Sequence, residues 1–368
     1  MTCQGYFSSR FPVMKILIFE WMVGGGLLQD RLPPNSGSSM FQEGLAMVRS
    51  ICSDLTCAGH SIQLPVDGRI PRVQLDQVPA RQSPISESGL LVPVLNQLAS
   101  PVDAILVIAP ECGGRLATAL DWLARYSDRI VSPVGEIVRI GSSKQGTVRF
   151  LEQAGVQASF EAAPVYPVIV KPDDGAGSDG IHLFENAAAV PQLIWDHPDQ
   201  WRVERFLPGF PVSISVIGGA CGHFLFPPTQ QIFGGGVRPD ESDRLRPAGL
   251  AWPGPWAGFD FPLKQSFARR TVDLAHRALK ALPQFSGYLG IDMVLAESGP
   301  AEDRIVDLNP RITSSWVGLR QLFSSNLSQF MLDYARGIEC ETPVATVRQL
   351  KYRLVPEQKK GPASRRPR

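Results

Sequence analysis

Apolar positions fall in two rhythms along the chain. Short apolar runs closed by glycine or proline, "KILIFE" (15–20), "SIQLPV" (61–66) and "DAILVIAP" (103–110), read as strands, the last buried on both faces. Between the first two, Phe41, Leu45, Val48, Cys52 and Leu55 recur at steps of three and four, which predicts an amphipathic helix over 41–58. A further helix is expected around 115–126, and the polar, proline-containing stretch 67–88 reads as a connection. Strands alternating with helices predict an open, mostly parallel sheet. Ligands on such sheets sit beyond the carboxyl ends of the strands, so Glu20, Gly25 within "GGG" (24–26) and Glu111 lie on the candidate ligand edge. For Glu111 the competing reading is a solvated loop carboxylate.

After residue 140 the pattern changes. "SSKQGTVRFLEQAGVQASF" (142–160) predicts a helix with Gly155 at its C-terminal cap, and "PVIVKP" (167–172) is a strand. "WRVERFLPGFPVSISVI" (201–217) reads as strand, Pro-Gly turn, strand, and 227–260, rich in Gly, Pro and Trp, as a long functional loop. A second amphipathic helix over 264–281 puts Phe267, Thr271, Leu274 and Ala278 on one side. "GYLGIDMVLAE" and "RIVDLNPRI" then read as two strands joined by the polar turn "SGPAED". No internal repeat is present.

Composition narrows the function classes. A chain of 368 residues suggests two or three domains, and 44% hydrophobic with 19% charged residues is ordinary for a folded protein. A formal net charge of +1 argues against a protein that coats nucleic acid or a membrane surface. The six cysteines form no CxxC pair and no zinc spacing, as expected of reduced thiols in a cytoplasmic protein. No apolar run approaches the length of a membrane span. Residues 1–13 lack the apolar region of a signal peptide and are set aside, with Met14 as a candidate start; the basic "KKGPASRRPR" (359–368) reads as a frayed end.

The candidate chemistry begins at "VIVKPDDGAGSDGI" (168–181), where a strand delivers Lys171 to a loop containing Gly175, Gly177 and Gly180. A nest of backbone amides beside a lysine binds polyanions, a phosphate chain above all; the competing reading is a β-turn with a solvated lysine. Downstream, Asp292 stands in "GIDMVL", and period-two geometry turns Asp307 and Asn309 of "VDLNP" to one face with Leu308 on the other. Two carboxylates and a carboxamide are hard oxygen ligands that suit Mg²⁺. Arg311, two residues on, can fork onto a phosphate or carboxylate. Each acid alone reads as a surface salt bridge; the set together with the lysine loop does not.

The order Lys144, "VIVKPDDGAGSDGI", "VERFLPG", "GIDMVL" and "VDLNPR" resembles the ATP-grasp superfamily over residues 14–340. The resemblance implies an α/β protein with α+β lobes: the ATP-grasp fold behind an N-terminal Rossmann-like pre-ATP-grasp domain. It divides the chain into that domain at 14–135, a small lobe at 136–210 with the lysines and glycine loop, a large lobe at 211–345 with the Mg²⁺ site, and a disordered basic tail at 346–368. It implies that Lys144 and Lys171 hold the phosphates of ATP, and that the loop 174–180, with Asp174, Gly175, Gly177 and Ser178, folds over them. The backbone of Glu204, Arg205, Phe206 and Leu207 would read adenine. Asp292, Asp307 and Asn309 would hold two Mg²⁺ ions, with Mn²⁺ a workable substitute. Arg311 would steady an acyl phosphate and join Lys171 as a catalytic residue.

Two positions depart from the superfamily pattern. The acid that commonly meets the ribose is replaced by Phe210 or Pro211, with Ser213 as a stand-in, and the arginine that peptide ligases carry two residues before the first metal aspartate is Gly290. Within the superfamily, "MKILIFEWMVGGG", "VIAPE" and "NPRITSSWVGL" resemble the tyramine–glutamate ligases of methanofuran biosynthesis. The expectation is therefore an ATP-dependent carboxylate–amine ligase that forms an amide from L-glutamate and tyramine or a tyrosine-like amine. Glu20, Gly25 and Glu111 are the candidate substrate contacts. Small-molecule partners follow, with no nucleic acid and no membrane, and a homodimer is compatible. A kinase-like phosphotransferase, another amino-acid or peptide ligase and a nucleotide-binding module without turnover are the rivals. A nicotinamide dehydrogenase fits less well, because "VGGG" lacks the dinucleotide spacing. The five histidines are scattered, and His182, the one near the glycine loop, reads as structural.

Overall fold

A computed structural model of the chain describes residues 12–34, 38–158, 165–175, 180–233, 250–251 and 256–353. Four parallel strands open it: β1 (Lys15–Glu20), β2 (Ser61–Asp67), β3 (Arg81–Ile85) and β4 (Ala104–Ile108), in the order β3-β2-β1-β4. The helix Ser39–Cys57 returns the chain from β1 to β2; Ser38 Oγ accepts from the Phe41 N–H at its start, and Phe41, Leu45, Val48, Cys52 and Leu55 are buried as their spacing predicts. Strand β3 corrects the reading of 67–88 as a connection. "RQSPI" buries only Ile85 and carries Pro84, a pattern tolerated because β3 is an edge strand.

Period-two alternation splits β1 between two cores. Leu17 and Phe19 enter one cluster with Val212, Leu289, Ile305 and Leu308, while Ile16 and Ile18 enter another with Trp316, Leu322 and Leu332. The N-terminal sheet and the C-terminal part of the chain therefore share both large cores. Polar contacts join them as well: Arg320 pairs with Asp54 through Nε at 3.0 Å, and Ser328 Oγ donates to Asp54 Oδ2 at 2.8 Å.

The central strands β5 (Val168–Pro172), β6 (His182–Phe184) and β7 (Trp201–Arg205) form an antiparallel sheet with a small core of its own, made of Val168, Val170, Phe184, Val190 and Ile194. The small lobe was expected to begin at residue 136, but the helices Glu136–Gly141 and Lys144–Gln153 bury Ile137, Ile140, Val148 and Leu151 in the larger core. Gly141 sets that contact, since a Cβ there would fall 2.7 Å from Pro310 Cδ.

The remaining strands are β8 (Gly209–Gly219), β9 (Gly222–Leu225), β10 (Thr229–Phe233), β11 (Leu250–Ala251), β12 (Trp256–Phe261), β13 (Gly287–Ala296), β14 (Arg304–Asn309) and β15 (Leu350–Arg353). They build a sheet of order β14-β13-β8-β10-β12-β15 with β9 on β8, and β11 pairs back onto β6. Strands β7 and β8 lie in different sheets, so the Pro-Gly segment between them crosses from lobe to lobe. Two expectations change. The stretch 227–260 contains β10 and β12 rather than one long loop, and the tail read as disordered from 346 contributes β15 to the sheet. Residues 354–368 lie outside the described residues. Cys52, Cys112, Cys221 and Cys340 are free thiols, whereas Cys57 is disulfide-bonded, against the expectation for it. No helix among the described residues is long and apolar enough to cross a membrane.

Candidate active site

Lys144 opens the helix Lys144–Gln153, and Asp173, just past β5, fixes that helix start. Asp173 Oδ1 accepts from the Gln145 N–H at 2.7 Å and Oδ2 from Ser143 Oγ at 2.8 Å, while Ser143 Oγ accepts from the Gly146 N–H. Lys144 Nζ donates to Gly175 O at 2.7 Å and to Asp307 Oδ2 at 3.2 Å. Burial alone would pull the ammonium down, but Asp307 outweighs it and the net shift is upward. Asp173 is a positioning residue that sequence reasoning passed over. Its signal was available: an acid just past a strand end, in a segment already marked for phosphates.

Lys171 is buried on β5, with Nζ 2.9 Å from Glu204 Oε2 and 3.4 Å from Val306 O. Strand register explains the pair: Lys171 faces Arg202 and Ile169 faces Glu204, so the two side chains share one face as diagonal neighbours. The Glu204 side chain is thus engaged by Lys171, with Arg202 Nε 3.8 Å from its other oxygen. Of the amides expected to read a base, the Phe206 N–H is taken by Pro167 O at 2.9 Å, while Arg205 ends β7 and Leu207 lies beyond it. Asp174 accepts the Gly113 N–H on Oδ1 and Oδ2 at 2.9 and 2.8 Å, joining the start of the glycine loop to the N-terminal domain. Gly177 and Ser178 lie outside the described residues.

Asp292 and Asp307 stand opposite each other on β13 and β14. Asp307 is on an edge strand, whereas Asp292 is on an interior one, flanked by Asp307 and Ser213. Asp292 Oδ1 accepts from Gln231 Nε2 at 2.9 Å and Oδ2 from Asn309 Nδ2 at 3.1 Å. Burial first, then the Asp307 charge, push the Asp292 carboxyl up to about 6. Ser213 donates its hydroxyl to Asp292 and is occupied there, away from the ribose role offered for it; Phe210 packs on the Phe267 ring at 4.6 Å. Among the described residues no three His, Cys, Asp or Glu side chains gather as a metal cage. Two close carboxylates and a carboxamide fit Mg²⁺, which completes its shell with water and substrate oxygens.

Arg311 donates from Nε to Glu111 Oε2 at 3.0 Å and from Nη1 to Ile312 O at 3.3 Å. Glu111 is 6% exposed, which overturns its reading as a solvated loop acid. Burial pushes its carboxyl up and Arg311 draws it back in part. Beside Arg311 a small cavity of about 40 Å³ opens at the carboxyl end of β1, lined by Glu20, Glu43, Met22, Met40 and Met47 among others. Glu20 Oε2 accepts the Val23 N–H at 2.8 Å, and Glu43 accepts the Ser314 hydroxyl. Gly44 lets the Glu20 carboxylate lie against the helix, since a Cβ there would come within 2.6 Å of Oε1. Gly25 caps the four-residue helix Gly26–Gln29 at φ 98° among Leu28, Ile85 and Leu91, and the cavity lining does not include it. Glu43 was missed because the helix carrying it was read for its apolar face alone.

Burial pushes the Glu20 carboxyl up to about 7 from its ordinary 4.5. Between those values the native state holds a proton that the unfolded chain has released, so stability falls as pH rises through that window. The Glu20 share is about 3 kcal/mol. Glu43 and Glu111, also raised, steepen the same slope. Urea unfolding of the wild type and Glu20→Gln from pH 4.5 to 8 is expected to show a shallower fall in the variant; equal slopes would overturn the assignment.

An ATP-grasp domain family matches residues 141–315. Over 335 residues the chain is 21% identical to the tyramine–L-glutamate ligase of Methanocaldococcus jannaschii, covering 90% of this chain and 92% of that protein. It is 40% identical over 57 residues to the D-alanine–D-alanine ligase of a Jannaschia species, covering 15% of this chain and 18% of that one. Among solved structures, an ATP-grasp superfamily protein from Archaeoglobus fulgidus superposes with a TM-score of 0.64 at 18% identity, covering 92% of this chain and 98% of that one.

Proposed function

The chain belongs to the ATP-grasp superfamily, and from that premise we propose that it is an ATP-dependent ligase joining L-glutamate to tyramine or a tyrosine-like amine, in the synthesis of a methanofuran-type cofactor. The observation that carries the reading is the convergence of three cations on β14 and the segment just after it. Lys144 touches both the glycine loop and Asp307, Lys171 reaches β14, and Arg311 adjoins a cavity with two acids. Likeness to a tyramine–L-glutamate ligase over nearly the full length of both chains supports the choice of substrates.

In this reading a substrate carboxylate oxygen attacks the γ-phosphorus of ATP. The bond to the β–γ bridging oxygen breaks, and ADP leaves from an acyl phosphate. The amine nitrogen then attacks the acyl carbon, the bond to the phosphate oxygen breaks, and the amine proton departs with inorganic phosphate or to solvent. No protein nucleophile is required; positioning and charge neutralisation do the catalysis. Lys144 and Lys171 neutralise phosphate oxygens, and Arg311 holds the oxygens of the acyl phosphate. Magnesium held by Asp292, Asp307 and Asn309, as one ion or two, would supply further neutralisation of the phosphates. Asp173 keeps Lys144 at the mouth of the phosphate loop. In this reading a pre-ATP-grasp domain runs from residue 14 and the two lobes follow it.

An ADP-release screen crossing L-glutamate with tyramine, tyrosine and other amines tests this. Release of both ADP and phosphate is expected only when carboxylate and amine are supplied together. ADP formation that needs one small molecule, with phosphate retained on it, would replace the ligase by a phosphotransferase.

A further inference from the structure

We propose that the cavity at the end of β1 is the subsite for the amine substrate, with the ammonium held between Glu20 and Glu43 and the apolar body against Met22, Met40 and Met47. The term substrate rests on the ligase reading; the binding itself does not. Charge sets the case. Two buried acids, Glu20 and Glu111, and the half-buried Glu43 lie around one guanidinium. Arg311 donates to Glu111 and to Ile312 O, while Glu20 takes the backbone amide of Val23 and Glu43 the hydroxyl of Ser314. Glu111, next in the chain to Pro110 of the lining, keeps Oε1 buried with no hydrogen-bond partner. All three carboxyls are pushed upward by burial, which the single charge of Arg311 offsets only in part.

The chemistry of the wall selects the cation. A hard metal ion takes an oxygen shell, and no cluster of three ligating side chains exists among the described residues. Three thioethers offer a polarizable, adaptable apolar surface that suits an aromatic or aliphatic body. An organic ammonium satisfies both halves. Arg311, on the cavity wall and two residues beyond Asn309, puts the nitrogen beside the candidate acyl-phosphate position. Ser314 and Gly44 act as positioning residues, the first by holding Glu43 and the second by making room for Glu20.

The test is calorimetric binding of tyramine and of 4-ethylphenol, the same ring without the ammonium, to the wild type, Glu20→Gln and Glu43→Gln, with ATP present. Tyramine is expected to bind the wild type at least about tenfold more tightly than 4-ethylphenol. Each variant is expected to lose about tenfold or more for tyramine and little for 4-ethylphenol, with ATP affinity retained. Equal binding of the two compounds, no tyramine binding to the wild type, or wild-type tyramine affinity in both variants overturns the proposal. Unfolding midpoints accompany each measurement, and Glu43→Gln, on a different element, keeps the test intact if Glu20→Gln fails to fold. The two readings fail separately. Charge-dependent tyramine binding without ADP release removes the ligase and leaves the site; turnover with an unchanged amine KM in both variants removes the site and leaves the ligase.

Discussion

Asp292→Asn and Asp307→Asn are each expected to lower ADP release by a hundredfold or more, about 2.7 kcal/mol of transition-state stabilisation. The two should separate in stability. Asp292 is half-buried opposite Asp307, and removing its charge relieves both desolvation and repulsion, so its unfolding midpoint should hold or rise. Asp307 is the ion-pair partner of the nearly buried Lys144, and an amide in its place removes the counter-charge of that ammonium, so a fall of about 1–3 kcal/mol is expected. ADP-release rates and denaturant midpoints on both variants are the measurements. A rate above about a tenth of wild type in either, equivalent to roughly 1.4 kcal/mol, would remove that aspartate from the metal set.

Lys171→Ala should be the most destabilising of the site substitutions. Lys171 and Glu204 are each 6% exposed at the side chain, and truncating the lysine leaves a buried carboxylate without its 2.9 Å partner, at a cost of about 3–5 kcal/mol. The core of that lobe is small, so the loss falls on the part least able to absorb it. Adding Glu204→Gln should recover much of the stability and none of the ATP affinity, because a phosphate needs the lysine whether or not the carboxylate is present. Nucleotide titration on the single and double variants decides it. Wild-type ATP affinity in Lys171→Ala/Glu204→Gln would show that Lys171 is a structural cation.

What could be read in advance follows from which signals are local. β1, β4 and the helix Ser39–Cys57 were legible because their burial is continuous or one-sided, which leaves a clean period in the sequence. The lysine strand and the "DLNP" strand were legible because charged residues interrupt apolar runs there. β3 was not, since an edge strand with one buried residue has no period to show. β10 and β12 were hidden by turn-forming residues between them, and β15 by the basic tail that follows it. In the site, Asp292, Asp307, Asn309, Lys144 and Lys171 are brought together from separate elements, as their chemistry suggested. Glu43 and Ser314 were invisible because their meeting spans 271 positions and depends on how one helix packs against a distant loop. Gly25 has a local explanation as well, since the helix start it caps needs its positive φ.

The separate core of the central lobe bears on how such a protein diversifies. Glu20, Glu43 and the three methionines belong to elements packed into the two shared cores, whereas Lys171 and Glu204 stand on strands packed around Val168, Val170 and Phe184. Substitutions in units without shared packing act nearly independently. Drift in the cavity wall can therefore retune which amine is accepted while the phosphate-handling strands go on undisturbed. One inherited energy-coupling device is in this way free to serve a succession of acceptors.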